Sequence, residues 1–505
     1  AECRIRKGDR IALIGRNNPR WVIAYIATIT YGAVIVPILQ DFNANDVHHI
    51  INHSGSQLLF VGDVYWDMIE TGQIEEVKAV FSLTDYHCLF ERRGQSIARF
   101  QSNIVKHYRK RYRNGFRPED IAYPEIPNDR LCVLNYTSGT TGFSKGVMLT
   151  VNNITGNVVF GIGQKLHFRR SRVLSFLPLA HAYGCAFDLL VPLAQGTHIT
   201  LLGRIPSPKI LVEAMSEVKP HLICCVPLIL EKVYKKQILP ILGNGILKMA
   251  LRIPLLDQKV YNRIRRKLMD AFGGEFEQII VGGAPFNHEV EEFLLRIRFP
   301  FTVGYGMTEC GPLVSYTHWT EYKPTSCGKV LPELMEARIE SEDPRNVPGE
   351  ILVRGEHVMA GYYKNEKATS DVMESDGWMR TGDVGTLDED GTLYIRGRNK
   401  TMILGPSGQN IYPEEIEAKL NNLYCVMESL VVEREGKLVA LVCPDYEQAD
   451  ADGISHAKLP EVMEENLKTL NTLVAPYERV SGIVLYPNEF EKTPKRSIKR
   501  YLYNV

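Results

Sequence analysis

Between Tyr136 and Val147 the chain reads YTSGTTGFSKGV, directly after the apolar run LCVLN. Gly139 and Gly142 let the backbone come close to an anion, and the hydroxyls of Thr137, Ser138, Thr140 and Thr141 can donate to it. Lys145 adds a point charge near the end of the segment. Together these are the parts of a phosphate cradle. The order is not the GxxxxGK[ST] of a Walker loop, because Lys145 stands between Ser144 and Gly146. Such a cradle needs a strand to launch it and a core to hold that strand.

The chain supplies both. Its 505 residues carry 59 Lys+Arg against 59 Asp+Glu and are 45% hydrophobic and 23% charged. At roughly 100–200 residues per domain, this length predicts two to four domains, each with its own core. Charge balance excludes a broadly basic nucleic-acid binder and an acidic, disordered tail protein. Composition excludes collagen-like, coiled-coil and disulfide-dense classes. The ten cysteines have no metal-ligand spacing, and Cys224 and Cys225 sit inside the apolar run Leu222–Leu230. They read as buried, reduced thiols of a reducing compartment. No apolar signal-peptide core follows the opening AECRIRKGDRIALIG. The charge-free run Trp21–Leu39 approaches the length of a membrane span, but Gly32 and Pro37 interrupt it. WVIAYIATITY reads instead as a buried helix after Pro19, and AVIVPI as a buried strand. The expected location is cytoplasmic, at most peripheral to the inner membrane surface.

Through residue 400, short apolar runs alternate with helical stretches: RIALIG (10–15), QLLFVG (57–62), LCVLNYTS (131–138), VLSFLPLA (173–180), HLICCVP (221–227) and EQIIVGG (277–283). Continuous apolar runs separated by helices predict a largely parallel sheet covered on both faces. After about residue 326, paired Gly/Asp turns predict hairpins. From about 400 a smaller α+β segment follows, with PEEIEAKLNN as a helix and ESLVVEREGKLVALVCP as a hairpin turning at Glu435–Gly436. Two basic clusters, Lys106–Arg117 and Arg263–Lys267, read as solvated surface. The first interleaves Tyr108, Tyr112 and Phe116 with its charges, which also suits weak peripheral contact with an anionic membrane.

At this point the sequence resembles the adenylate-forming enzymes: acyl-CoA synthetases, luciferases and peptide-synthetase adenylation domains. Six segments carry the resemblance in family order: the cradle itself, LPLAHAYG (177–184), VGGAPF (281–286), VGYGMTECGP (303–312), MRTGDVG (379–385) and GRNKTMILGPSGQNIYPEEIE (397–417). The resemblance implies an α/β fold with a large multi-sheet N-terminal domain, residues 1 to about 398, bearing a turn-rich β subdomain. A small, mobile α+β C-terminal cap would follow over about 399–505. It further implies ATP, Mg²⁺ and coenzyme A. Thr308 and Glu309 end a Gly-rich turn suited to a cation bridging ATP phosphates, with Glu309 the implied metal ligand aided by Thr137. Gly304, Tyr305, Gly306 and Met307 would line the nucleotide, Tyr305 offering an aromatic face to adenine. Gly283, Ala284 and Pro285 would line the nucleotide and acyl pocket through their backbone. Asp383 would accept the ribose hydroxyls, with Arg398 on ribose or phosphate across the hinge and Lys400 at the hinge itself. His181 would lie near the carboxylate or the acyl tunnel.

Two features depart from the family. Its C-terminal lysine is matched, without gaps, by Ser497 in KTPKRSIKRYL (492–502); Lys495 and Lys499 lie two residues to either side. On an extended strand these positions share a face, so either is a substitute catalytic lysine, with Lys492 a weaker third. The chain also begins late: RKGDRIALIGRNNPRW resembles a segment that normally follows about 40–50 residues, whose loss would expose a sheet edge and invite homo-oligomers. The overall pattern resembles long-chain fatty acyl-CoA synthetases most, so the expected substrates are a long-chain fatty acid and coenzyme A. Alternatives are a medium-chain or aryl carboxylate ligase, an acyl-AMP ligase loading a carrier protein, and a non-catalytic acyl/nucleotide-binding homologue.

Overall fold

The computed structural model describes residues 3–137, 144–243, 256–404, 409–493 and 497–503. The cradle is launched from an eight-stranded sheet. Its order is Gly361–Tyr362, Lys145–Thr150, Leu131–Thr137, Val34–Ile38, Arg10–Ile14, Ser56–Val61, Ala79–Ser82 and Cys88–Glu91. The five strands from Leu131–Thr137 to Ala79–Ser82 are parallel, and both flanks are antiparallel. The strand Arg10–Ile14 lies inside this order; its edges are the short strands Cys88–Glu91 and Gly361–Tyr362.

The apolar run at 21–39 folds as its two halves predict. Asn18 accepts from the Trp21 amide at 2.9 Å, Pro19 opens a helix over Pro19–Tyr31, and Gly32 ends it in the left-handed region. Val34–Ile38 then enters the sheet fully buried. No described helix is long and apolar enough to cross a membrane.

The other parallel strands do not join the large sheet. Leu222–Cys225, Gln278–Val281 and Phe301–Val303 form a three-stranded parallel sheet, and Arg172–Ser175 pairs with His198–Leu201. Two expected strands are shorter than their apolar runs. The run 173–180 leaves the sheet at Ser175, ahead of a turn in which the His181 amide reaches Pro178 O. The run 221–227 stops at Cys225 because Pro227 opens a helix.

The turn-rich region forms an antiparallel sheet of Met335–Glu340, Gly349–Gly355, Met379–Leu387 and Leu393–Arg398. Beyond it lie the helix Pro413–Leu420 and the hairpin Val426–Arg434/Lys437–Pro444. Glu435 and Gly436 both take positive φ at that hairpin's tip, as a two-residue turn requires. Buried apolar residues from Ile11 to Leu393 form one cluster, and those from Ile411 onward form two others. None of the ten cysteines, all of them among the described residues, forms a disulfide. Arg263–Lys267 lies on the helix Leu256–Ala271, which buries Ile264 and Leu268 and leaves its charges to solvent.

Candidate active site

The cradle joins two antiparallel strands, with Thr137 directly opposite Lys145. Both of its ends are therefore pinned to one sheet, whereas a Walker loop opens into a helix. Ser138, Gly139, Thr140, Thr141 and Gly142 lie outside the described residues. Gly361–Tyr362 pairs with the outer side of Lys145–Thr150, and this brings a residue that the motifs did not point to. The Tyr362 ring lies under Lys145 Nζ at 4.8 Å, and its hydroxyl donates to Glu309 Oε1 at 2.9 Å. A cation and a carboxylate thus flank one buried phenol. Burial, reinforced by the Glu309 charge, raises the phenol's pKa and keeps it a donor.

Glu309 is held by a tight backbone. Its carbonyl accepts from the Met359 amide at 2.8 Å, and it sits in the 3₁₀ turn Thr308–Cys310, closed by Gly311 at φ +62°. One residue upstream of Met307, Gly306 passes so close to Pro312 that a Cβ would lie 2.3 Å from the Pro312 carbonyl oxygen. Thr308 is buried. No described cluster of three or more metal-type ligands exists. One carboxylate is enough for Mg²⁺ when phosphates complete its shell, and Glu309, with Thr308 beside it in the same turn, can supply it.

Across the turn, Tyr305 donates to Asp383 Oδ2 at 2.7 Å, and Arg398 Nε lies 3.1 Å from Asp383 Oδ1. Asp383 and Arg398 are directly opposite on paired strands. Burial raises the Asp383 carboxyl pKa, opposed by the Arg398 charge and the Tyr305 hydrogen bond. The Arg398 side chain is 66% exposed while that of Asp383 is 10% exposed, so the arginine can swing away and leave a carboxylate oxygen to a sugar hydroxyl.

On the third side, Gly282 donates to Cys225 O and Gly304 to Val281 O, ending two parallel strands together. Gly283 follows at φ +87°, and Ala284 and Pro285 are exposed. Tyr183 donates to Ile280 O at 2.9 Å, tying the His181 turn to these strand ends. His181 Nδ1 accepts from the Tyr183 amide at 3.2 Å and caps the helix Ala182–Cys185. It is a half-buried capping residue at the strand ends.

The C-terminal lysines are placed differently. Lys492 bridges Ile498 antiparallel, and the Thr493 amide donates to Ser497 O at 2.8 Å. Lys492–Thr493 and Ser497–Ile498 therefore run antiparallel to each other, which corrects the expectation of one extended strand across these positions. Lys495 lies outside the described residues. Lys499 Nζ is 3.3 Å from Glu491, and Lys492 Nζ reaches Glu428 at 2.8 Å and Glu489 at 3.0 Å. Lys400 is exposed just after the Asn399 amide, which donates to Gly382 O.

Behind the cradle lies another contact absent from the motifs. His53 Nδ1 is 2.7 Å from the Tyr136 hydroxyl, and Tyr363 packs edge-on to the His53 ring. Lys364 Nζ donates to the His53 carbonyl at 2.9 Å. Burial, then His49 and Lys364, lowers the His53 pKa. Because the folded value lies below the unfolded one near 6.5, its contribution to stability is complete above about pH 6.5 and declines as pH falls toward the folded value. The thermal midpoint of the parent protein should drop more between pH 7.5 and 5.5 than that of His53→Gln. Equal drops would remove His53 as a source.

A family model of AMP-binding enzymes matches residues 2–363, and the chain belongs to that family. A long-chain-fatty-acid–CoA ligase of Escherichia coli O157:H7 is 27% identical, over 98% of this chain and 85% of that protein. The peroxisomal long chain acyl-CoA synthetase 7 of Arabidopsis thaliana is 27% identical, over 98% of this chain and 76% of that one. The O-succinylbenzoate coenzyme A synthetase of Bacillus subtilis, solved with ATP and a magnesium ion, has the same fold. Its TM-score is 0.72 at 22% identity, over 98% of this chain and 89% of that one.

Proposed function

We propose that this AMP-binding enzyme is an acid–CoA ligase that activates a long-chain fatty acid. The observation that carries the reading is the Lys145–Tyr362–Glu309 contact on one side of the turn whose other side holds Tyr305, Asp383 and Arg398. The names of the similar ligases supply the substrate class. Residues 1 to about 398 form the catalytic body and about 399–505 the mobile cap.

In the first step a carboxylate oxygen of the acid bonds to the α-phosphorus of ATP, and the bond from that phosphorus to the β-bridging oxygen breaks. Pyrophosphate carries away the electron pair. Lys145 and the donors of 137–142 spread the charge gathering on the phosphates, an electrostatic contribution. A Mg²⁺ held by Glu309, Thr308 and Thr137 would add Lewis-acid stabilisation of those oxygens. Asp383 and Arg398 orient the ribose, Tyr305 and the backbone of Gly304, Gly306 and Met307 line the base, and Gly283–Pro285 border the acid. His181 lies on the acid's side of the cleft. Lys495 or Lys499 reaches the carboxylate when the cap closes, with Lys400 at the pivot. In the second step the coenzyme A thiolate bonds to the acyl carbon, and the acyl–phosphate bond breaks to release AMP.

Pyrophosphate release with ATP, Mg²⁺ and a series of acids from short to long chain, each with and without coenzyme A, tests the proposal. Release that requires a long-chain acid, with thioester formed only when coenzyme A is present, is the expected outcome. A best rate with short or aryl acids would replace the substrate class. ATP binding without release from any acid would make the chain a non-catalytic homologue, a reading that the serine at 497 favours.

A further inference from the structure

We infer that the segment from Arg92 to Tyr123 is a docking surface for an anionic lipid bilayer. The inference is independent of which acid the enzyme activates. Between Arg92 and Arg117 the sequence holds nine Lys or Arg and no Asp or Glu, in a chain whose net charge is zero. Lys106, Arg109, Lys110, Arg113 and Arg117 make no ion pair with any described residue, and Arg111 lies over the Tyr112 ring. Glu119 and Asp120, the latter accepting from the Arg117 amide at 2.8 Å, are the segment's only acids and lie at its far end, so its excess of positive charge is complementary to an anionic surface.

The helix inside this patch, Ile104–Arg111, has no buried residue. At 100° per residue, Ile104, Tyr108 and Val105 fall on one arc, Lys106 and Lys110 lie opposite it, and Arg109 and Arg111 flank its two sides. Helices normally bury such an apolar arc against the body of the protein. This one does not: Ile104, Val105 and Tyr108 are exposed, and so are Phe116, Ile121 and Tyr123. Of the 26 large apolar side chains exposed among the described residues, these six fall within twenty positions. A basic amphipathic helix with unburied aliphatic and aromatic side chains is the form that lies in a bilayer interface.

Single-stranded nucleic acid is the other polyanion to weigh. Its binding relies on rings free to stack on bases. Here Tyr108–Tyr112 and Tyr112–Phe116 pack on each other with centroids 5.1 Å apart, and Ile104, Val105 and Ile121 offer no stacking face. The geometry favours lipid.

The full chain should co-sediment with phosphatidylcholine vesicles containing phosphatidylglycerol and not with phosphatidylcholine alone, and high salt should release it. The triple variant Lys106→Glu/Lys110→Glu/Arg113→Glu should lose about 10²-fold or more in partitioning, from the roughly fivefold effect of each surface cation. Ile104→Ser/Tyr108→Ser, which leaves the charge unchanged, should weaken binding at low salt as well. All five side chains are exposed, so both variants should keep the parent thermal midpoint. Equal binding to neutral and anionic vesicles would overturn the inference. So would indifference to both variants, or tight binding of an RNA oligonucleotide with no vesicle binding.

Discussion

Glu309→Gln lowers pyrophosphate release by about 10²- to 10³-fold, the cost of removing one preorganised electrostatic group from a transition state. The substitution separates charge from position. A glutamine oxygen still accepts from the Tyr362 hydroxyl, now 2.9 Å from Glu309 Oε1, so the turn Thr308–Cys310 and the Tyr362 ring under Lys145 are retained. What disappears is the negative charge that a divalent cation needs. ATP binding measured without the metal should therefore change little, and raising Mg²⁺ should recover part of the lost rate. Tyr362→Phe is the companion. It keeps the ring beneath Lys145 but frees the Glu309 carboxylate to wander, costing about 10- to 100-fold, as supports of metal ligands do. A Glu309→Gln enzyme with the parental rate would remove Glu309 from the chemistry.

Arg500→Ala destabilises the C-terminal α+β unit by about 3–5 kcal/mol, the cost of stripping one partner from a buried ion pair. Arg500 pairs with Glu417 and lies 3.5 Å from Glu414. Glu417 is buried and also accepts from the Val431 amide at 2.6 Å. Burial pushes its pKa up to about 7 even with the arginine beside it. The folded value lies above the unfolded one near 4.3. Glu417's contribution is therefore complete below that pH and lost as pH rises through about 7, so the Arg500→Ala deficit is largest in alkaline buffer. Hydrogen exchange at the Leu430–Val432 amides reads this unit directly, since all four tryptophans lie before it in the sequence. Glu417→Gln/Arg500→Ala should recover much of the loss. Unchanged exchange in the single variant would show that solvent already reaches the pair.

The residues legible in the sequence are those whose partners lie within one motif or at a strand end. Tyr305, Gly306 and Glu309 belong to a single turn, and the glycine is imposed by contact with Pro312 a few residues on. Asp383 was legible through the motif MRTGDVG, but its hydrogen bond from Tyr305 spans separate sheets. Tyr362 and His53 were not legible, because each reaches the cradle through pairing or packing between distant segments, and neither local spacing nor composition records that. The reversal between Lys492 and Ile498 did leave a sign. Pro494 interrupts the run, and a proline after Thr493 argues for a turn over a strand. The parallel strands were found but gathered into too few sheets, since an apolar run states that a strand is buried without naming its neighbours.

The pairing of Tyr362 with Val147 also sets when the site can exist during synthesis. The two positions are roughly 200 residues apart in sequence, and a loop of that length closes only after all of it has been made, at an entropic cost growing as (3/2)RT ln n. At about 5–20 residues per second a ribosome needs on the order of 10–40 s to pass from one position to the other. Until then the outer edge of Lys145–Thr150 has no strand to pair with, and Lys145 lacks the aromatic ring beneath it. The nascent chain therefore carries an open, adhesive sheet margin for tens of seconds, a substrate for chaperones before it is an enzyme.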